Sequence, residues 1–143
     1  MRSGRRPCCR QYRYNFRKTH HMKSKITGTR YVLAVKNLKV SADFYKNKLG
    51  FKTLWADEGW HFLIRDNAKI MLGECADERP ASELGDHSYF AYFEIESIDD
   101  LYSEFVVNNV EFLSAVADKP WGQREFSLKT IDGHRITFGE GIR

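Results

Sequence analysis

The chain of 143 residues is 42% hydrophobic and 14% aromatic, which is enough apolar material for one domain with its own core. No apolar run approaches the roughly 20 residues that cross a bilayer as a helix, so we predict a soluble domain without a membrane partner. The formal charge of +4 is uneven, because residues 1–21 hold seven Lys and Arg and no acid. The remainder carries 16 basic and 19 acidic groups, and this net charge of −3 argues against nucleic-acid binding by the folded part.

Residues 1–21 lack both apolar periodicity and the hydrophobic stretch of a secretory signal, so we assign them to a disordered basic tail and residues 22–143 to the folded domain. Three interpretations remain open for this tail: a solvated extension upstream of a start at Met22, an organelle-targeting peptide, and an arm that binds nucleic acid. Cys8 and Cys9 are adjacent and Cys75 stands alone. This spacing indicates neither disulfides nor a metal site and predicts a reducing, cytoplasmic location.

From Ile26 onward, the hydrophobic pattern predicts a strand, a helix and three further strands. Asn37 precedes apolar residues at helical spacing and is typical of a helix N-cap, and Gly50 ends the helical pattern. The predicted strands span residues 31–35, 51–55, 60–64 and 68–72.

The same order of elements is predicted again after a linker at residues 80–86, which is rich in Pro, Ser and Gly. A strand at residues 89–95 is followed by a helix that Ser97 opens, with Asp99 and Asp100 in its first turn. Three strands follow at residues 110–113, 125–128 and 135–138.

The two units also end alike, since residues 70–74 read IMLGE and residues 136–140 read ITFGE. A repeat of about 65 residues is too long for a solenoid unit, and two copies are too few to form one. We therefore predict an α+β fold in which two βαβββ modules, at about residues 26–79 and 87–140, share one core.

Two strings carry a family resemblance within this duplicated order: VLAVKNLKVSADFYKNKLGF in the first module and TIDGHRITFGE in the second. Together they resemble the vicinal oxygen chelate superfamily of glyoxalases, ring-cleaving dioxygenases and antibiotic-resistance proteins. The resemblance covers nearly everything from Met22 to Glu140. It implies curved mixed sheets whose shared concave cavity holds a metal or another ligand.

Enzymes of that superfamily place His or Gln on the first strand of each module and Glu on the last, and these residues bind a divalent metal. By the resemblance, the four positions fall at Arg30, Met71, Phe90 and Thr137. Arg does not deprotonate, Phe has no donor atom, Thr is a poor neutral donor, and a thioether suits only soft metals. We therefore predict no metal site, no cofactor and no catalytic residues.

The remaining candidates for catalysis do not form a set with recognisable spacing. His61, His87 and His134 are scattered, and we interpret them as surface or hydrogen-bonded histidines. Glu74 and Glu140 follow glycine at equivalent positions, and we interpret them as solvated carboxylates, with a carboxylate pair facing the cavity as the alternative.

The aromatic residues carry the closest local resemblance, which is to bleomycin-resistance proteins, on the strings LWADEGW, IDDLYSEF and PWGQREF. Those proteins lack the metal and bind the drug in a groove at a dimer interface. The resemblance implies that aromatic rings stack on flat heteroaromatic rings while acids attract a cationic tail. The predicted ligand-binding residues are Trp55, Asp57, Glu58, Trp60, Tyr92 and Trp121.

The predicted function is thus non-catalytic sequestration of a bleomycin-type glycopeptide antibiotic by a homodimer, which would confer resistance. Two alternatives stay open: a metal-dependent lyase or dioxygenase, and a binding module of the same fold for an unrelated small molecule. If Arg30 faces the cavity, its guanidinium favours an anionic ligand over a cationic drug.

Overall fold

A computed structural model describes residues 24–143. The predicted basic tail at residues 1–21, and the question of a start at Met22, lie outside the described residues. Within residues 24–143, no helix combines the length and the apolar character that crossing a bilayer requires.

The first module forms a four-stranded mixed sheet with one helix packed on it. In chain order its elements are β1 (Tyr31–Val35), α1 (Leu38–Asn47), β2 (Lys52–Ala56), β3 (Trp60–Arg65) and β4 (Ala68–Glu74). The strands are ordered β1-β4-β3-β2, with β1 parallel to β4 and the other pairs antiparallel. Asn37 caps α1 as predicted, because its side chain accepts a hydrogen bond from the Val40 amide at 2.9 Å.

The second module repeats this topology after two short 3-10 turns in the predicted linker. Its elements are β5 (Tyr89–Glu94), α2 (Ile98–Val107), β6 (Phe112–Asp118), β7 (Gln123–Lys129) and β8 (Arg135–Gly141). The strand order is β5-β8-β7-β6, with β5 parallel to β8. The predicted α+β class and the two βαβββ modules are confirmed.

The largest difference from the predicted elements is β6, which was expected at residues 110–113. Val110 instead lies buried before the strand, and the strand continues to Asp118. Ala is a weak strand former, so the sequence gives little sign of this continuation. Pairing with β7, interrupted by two register shifts, continues to the end of the strand, where Asp118 lies opposite Arg124.

The core lies between the helices and one face of each sheet. On β4 the fully buried residues are Ile70 and Leu72, and on β8 they are Ile136 and Phe138. Side chains alternate along a strand, so Met71 and the other residues that alternate with these buried ones point to the opposite side of the sheet. That opposite side of each sheet is called its open face below.

The turn before β8 joins the second module to the first. The buried carboxylate of Asp132 accepts a hydrogen bond from Ser41 Oγ at 2.6 Å and another from the Lys36 amide at 3.2 Å. The Asp132 carbonyl accepts a third, from the Ser82 amide of the linker at 3.2 Å. The DGH string is therefore structural in this chain, because it ties the start of α1 and the linker to the second sheet.

Glu74 and Glu140 have a structural role, and they do not form the alternative carboxylate pair facing the cavity. Glu74 is exposed, in agreement with its interpretation as a solvated carboxylate, whereas Glu140 is partly buried. Glu74 Oε2 accepts from the Leu38 amide at 2.9 Å, at the start of α1. Glu140 accepts from the Ser97 amide at 3.2 Å and the Ile98 amide at 2.9 Å, at the start of α2. Each repeat thus caps its own helix with a carboxylate from its last strand, where the helix dipole favours a negative charge.

This cap replaces the one predicted for α2. Ser97 occupies the N-cap position, but its backbone is left-handed with φ of 61° and its side chain makes no capping hydrogen bond. We expect Glu140→Ala to lower the free energy of unfolding by about 1 to 2 kcal/mol, because two helix N–H groups lose their acceptor. Urea denaturation would measure this loss.

The matched control is Glu96→Ala, which removes an exposed acid beside the same helix start. The Glu96 side chain makes no hydrogen bond within residues 24–143. A change within about 0.5 kcal/mol is expected for it. Equal losses in the two variants would contradict the capping role of Glu140.

Candidate functional site

The open face of the first sheet carries an apolar row across all four strands. The strand register aligns Val32, Met71, Phe62 and Trp55 in that order. The Trp55 and Phe62 ring centroids are 5.0 Å apart, and Trp55 is 49% exposed although it is a large apolar side chain. This row is a continuous apolar strip that the rest of residues 24–143 leaves uncovered.

Trp60 lies beside this row because Gly73 has no side chain. The register pairs the two residues, and three indole carbons lie 3.0–3.4 Å from the position where a Cβ would stand on Gly73. The indole therefore lies across the sheet, with its centroid 6.2 Å from that of Phe62. Trp55, Trp60 and Phe62 form one aromatic cluster.

The open face of the second sheet is polar at the equivalent positions. Its register aligns Tyr92, Thr137, Ser127 and Ser114. Ser127 and Thr137 share a hydroxyl hydrogen bond of 2.9 Å, and Ser114 Oγ accepts from the Ser127 amide at 3.1 Å. The two modules therefore differ in their open faces: the first is apolar and the second is rich in hydroxyl groups.

Glu125 joins two aromatic side chains on this second face. Its Oε1 accepts from Tyr92 Oη at 2.9 Å and from Trp121 Nε1 at 2.8 Å. Trp121 is 65% exposed, whereas Glu125 is only 8% exposed. The carboxylate fixes the position of both rings, and their faces stay accessible.

Tyr92 reaches Glu125 because it crosses Gly139, where any Cβ would overlap its hydroxyl. Burial of the hydroxyl, together with the hydrogen bond to Glu125, raises the pKa of Tyr92 to about 12. Because this pKa exceeds that of an unfolded tyrosine, the protonated phenol stabilises the fold below about pH 10, and this stability is lost as the pH rises through about 12.

We expect Glu125→Gln to lower the pKa of Tyr92 part of the way towards its ordinary value of about 10, because the hydrogen-bonded carboxylate is lost while burial, the largest cause, and the charge of Glu94 remain. A pH titration of the tyrosine Cζ signal by NMR, assigned with Tyr92→Phe, would measure the change. An unchanged pKa in Glu125→Gln would show that the carboxylate does not act on this hydroxyl.

Asp57 and Glu58, which are predicted to attract a cationic ligand, lie in the turn between β2 and β3. Asp57 Oδ1 accepts from the amides of Gly59 at 2.9 Å and Trp60 at 2.8 Å, which fixes the turn between β2 and β3. Glu58 is exposed in the same turn. The six predicted ligand residues thus fall into two groups, with Trp55, Asp57, Glu58 and Trp60 in the first module and Tyr92 and Trp121 in the second.

Sequence reasoning missed Glu125, which sits in PWGQREF and was assigned only to a strand. A signal for it existed in the alternation of β7, because Phe126 and Leu128 face the core and Glu125 and Ser127 therefore face the other way. Its burial could not be anticipated, since it depends on two aromatic side chains from β5 and from the turn before β7.

The histidines do not converge on a common centre. His61 Nε2 hydrogen bonds to Thr53 Oγ1 at 2.8 Å, and His87 is exposed. His134 is buried, which corrects its interpretation as a surface or hydrogen-bonded residue, because its ring Nδ1 has no partner among residues 24–143. Burial lowers the pKa of His134, so the ring is neutral at pH 7.

A cavity of about 660 Å³ lies between the modules and away from both open faces. None of the six predicted ligand residues lines it. Its principal cation, Arg65, is already paired with Glu104 through two hydrogen bonds and also donates to the Leu49 carbonyl. The exposed aromatic rings therefore favour the open faces as the candidate site.

A model of the glyoxalase/bleomycin resistance protein/dioxygenase superfamily matches residues 27–138. The chain belongs to this superfamily. A bleomycin resistance protein from Geobacillus stearothermophilus is 28% identical over 124 residues, which are 78% of this chain and 94% of the relative. A bleomycin resistance protein from Staphylococcus aureus gives the same figures.

Solved structures of superfamily members share the fold. The bleomycin-binding protein of Streptomyces verticillus, in complex with copper(II)-bleomycin, has a TM-score of 0.67 at 20% identity, covering 82% of this chain and 98% of that one. A glyoxalase/bleomycin resistance protein/dioxygenase from Alicyclobacillus acidocaldarius has a TM-score of 0.71 at 16% identity, covering 85% and 96%.

The four positions that the resemblance assigns to metal ligands hold side chains with other partners in this chain. Arg30 places its guanidinium 5.7 Å from the Phe62 ring centroid, Met71 lies in the apolar row, and Thr137 bonds to Ser127. Phe90 packs its ring edge-on against Tyr31 at 5.5 Å. Among residues 24–143, no three His, Cys, Asp or Glu lie close enough together to hold a metal ion.

Proposed function

We propose that this protein binds and sequesters a bleomycin-type glycopeptide without chemical change, and thereby confers resistance to it. The observation that carries the proposal is the set of accessible aromatic rings on the two open faces, Trp55 and Trp60 on one and Tyr92 and Trp121 on the other. Flat thiazole rings stack on such surfaces, and a stacked pair contributes about 0.5 to 1.5 kcal/mol beyond the buried area. The curated relatives named bleomycin resistance proteins support the same ligand class.

Binding alone is sufficient for this function, because a drug held by the protein cannot reach DNA. Residue chemistry favours a binder over a metalloenzyme: Arg30, Met71, Phe90 and Thr137 offer no set of hard or borderline metal ligands. The time for which the drug stays bound then depends on its rate of release.

We further propose that the working unit is a homodimer in the cytoplasm. Each open face is uncovered within residues 24–143, and one sheet face contacts only part of a large ligand. A second copy would cover the apolar row of the first sheet and enclose the drug between two faces.

Isothermal titration calorimetry of the full chain with metal-free bleomycin tests this proposal, with a metal assay on the same sample. We expect saturable binding near one drug per subunit in protein that holds no stoichiometric metal. The absence of heat at about 100 µM drug, where a micromolar binder is saturated, would contradict drug binding. Stoichiometric metal with turnover of a superfamily substrate would favour a lyase or dioxygenase instead.

A second candidate is a binding module for an unrelated small molecule, and Arg30 favours it. The Arg30 guanidinium stands over Phe62 beside the apolar row, where it suits a carboxylate or phosphate on an aromatic ligand. Under this alternative, a flat aromatic carboxylate binds more tightly than bleomycin, and Arg30→Gln abolishes that preference. Tighter binding of bleomycin would reject the alternative.

A further inference from the structure

Glu125 is a buried carboxylate that forms no ion pair with any cation of residues 24–143. It is 8% exposed, and none of the ion pairs among residues 24–143 includes it. Removal of a carboxylate from water is costly unless hydrogen bonds or an opposite charge compensate. By contrast, the exposed carboxylates of Asp99 and Asp118 both form ion pairs with Arg124.

Hydrogen bonds compensate the burial of Glu125 at only one of its two carboxylate oxygens among the contacts of residues 24–143. Tyr92 and Trp121, both neutral donors, bind Oε1. No hydrogen bond from residues 24–143 reaches Oε2, and Oε2 is not among the fully buried polar atoms that lack a partner, so it keeps contact with solvent. An ionised carboxylate has about four acceptor positions, so Oε2 can accept donors from a ligand.

The surroundings of Oε2 favour a particular kind of donor. Tyr92 and Trp121 are 43% and 65% exposed, and both rings are anchored on the same carboxylate. Aromatic faces attract cations, and Glu125 supplies the negative charge. A neutral donor would gain only a hydrogen bond, whereas a cation would gain the hydrogen bond, the ion pair and the contact with the rings.

We propose that Glu125, together with the Trp121 and Tyr92 rings that it anchors, forms a subsite for an organic cation with N–H donors on a flat body, such as an aromatic amidinium or guanidinium. The inference rests on the proposed function, since it names the group of the ligand that the second open face selects. It moves the cation-binding role from Asp57 and Glu58, where Asp57 fixes a turn, to Glu125.

The test uses two probes of the same shape, 2-naphthamidine and neutral 2-naphthamide, titrated into the full chain and followed on the Trp121 indole N–H signal by NMR. We expect the amidine to bind at least about tenfold more tightly than the amide to the unmodified protein. Glu125→Gln should reduce this preference to less than about threefold. Glu111→Gln, the same change at an exposed surface glutamate, should leave the preference unchanged.

Equal affinity for the two probes in the unmodified protein would overturn the subsite, and so would a preference that survives Glu125→Gln. The first comparison needs no variant, so it decides the matter even if Glu125→Gln does not fold. The proposed function is tested separately. Bleomycin binding that Glu125→Gln leaves unchanged would reject the subsite alone, whereas amidine selectivity without bleomycin binding would reject the drug and retain the subsite.

Discussion

Gly133→Ala is expected to lower the free energy of unfolding by at least about 3 kcal/mol. Gly133 has a φ of +91°, and a Cβ on it would stand 2.5 Å from the backbone N and Cα of Ser82. The neighbouring atoms are backbone and cannot rotate away. The linker would have to leave Asp132, whose carbonyl accepts the Ser82 amide.

Gly122→Ala is the matched control in the same urea denaturation experiment. Gly122 has a similar φ of +82°, but nothing lies within 4 Å of its Cβ position. It therefore isolates the backbone strain, which is expected to cost about 1 kcal/mol. Equal losses in the two variants would show that the contact between the linker and the DGH turn contributes nothing to stability.

Trp121→Ala is expected to weaken bleomycin binding by about 2 to 4 kcal/mol, or about 30- to 1000-fold, while the fold is retained. Within residues 24–143, the exposed indole N–H donates a hydrogen bond only to Glu125. We therefore expect truncation of Trp121 to remove contact with the ligand and no packing in the core. Calorimetry measures the affinity and circular dichroism checks the fold. Loss of the fold would show that Trp121 belongs to the core.

Trp121→Phe separates the two contributions of this side chain. It keeps an aromatic face and loses only the N–H bonded to Glu125, so we expect about a fivefold loss of affinity. Val107→Ala, at an exposed position on α2, should change affinity by less than about twofold. Equal losses in the Ala and Phe variants of Trp121 would contradict stacking.

Features of the fold that depend on a local sequence pattern can be predicted from the sequence. Asn37 caps α1 because a cap needs only residues three positions apart. The strand Tyr31–Val35 is found at its predicted residues because the segment is apolar and contains two β-branched valines. Ser97 looks like the same signal, yet its helix is capped by Glu140 from the last strand. No local pattern contains that contact.

The candidate site follows the same rule. Exposed aromatics at Trp55, Trp60 and Trp121 could be anticipated from turns and alternation, and the structure leaves all three accessible. The grouping of Trp121 and Tyr92 on Glu125 required the register of the second sheet and the bare backbone at Gly139. Such a contact joins residues that are 33 positions apart, so periodicity gives no sign of it.

The capping of α2 by Glu140 also constrains the order in which this protein can acquire its structure during synthesis. The acceptor for the Ser97 amide is encoded 43 residues after Ser97 itself. The ribosome must therefore translate all of β6 and β7 and most of β8 before the N-terminus of α2 can be capped. Pauses or premature stops within that interval would leave a chain whose first module can cap its helix with Glu74 while the second remains open to chaperones and proteases.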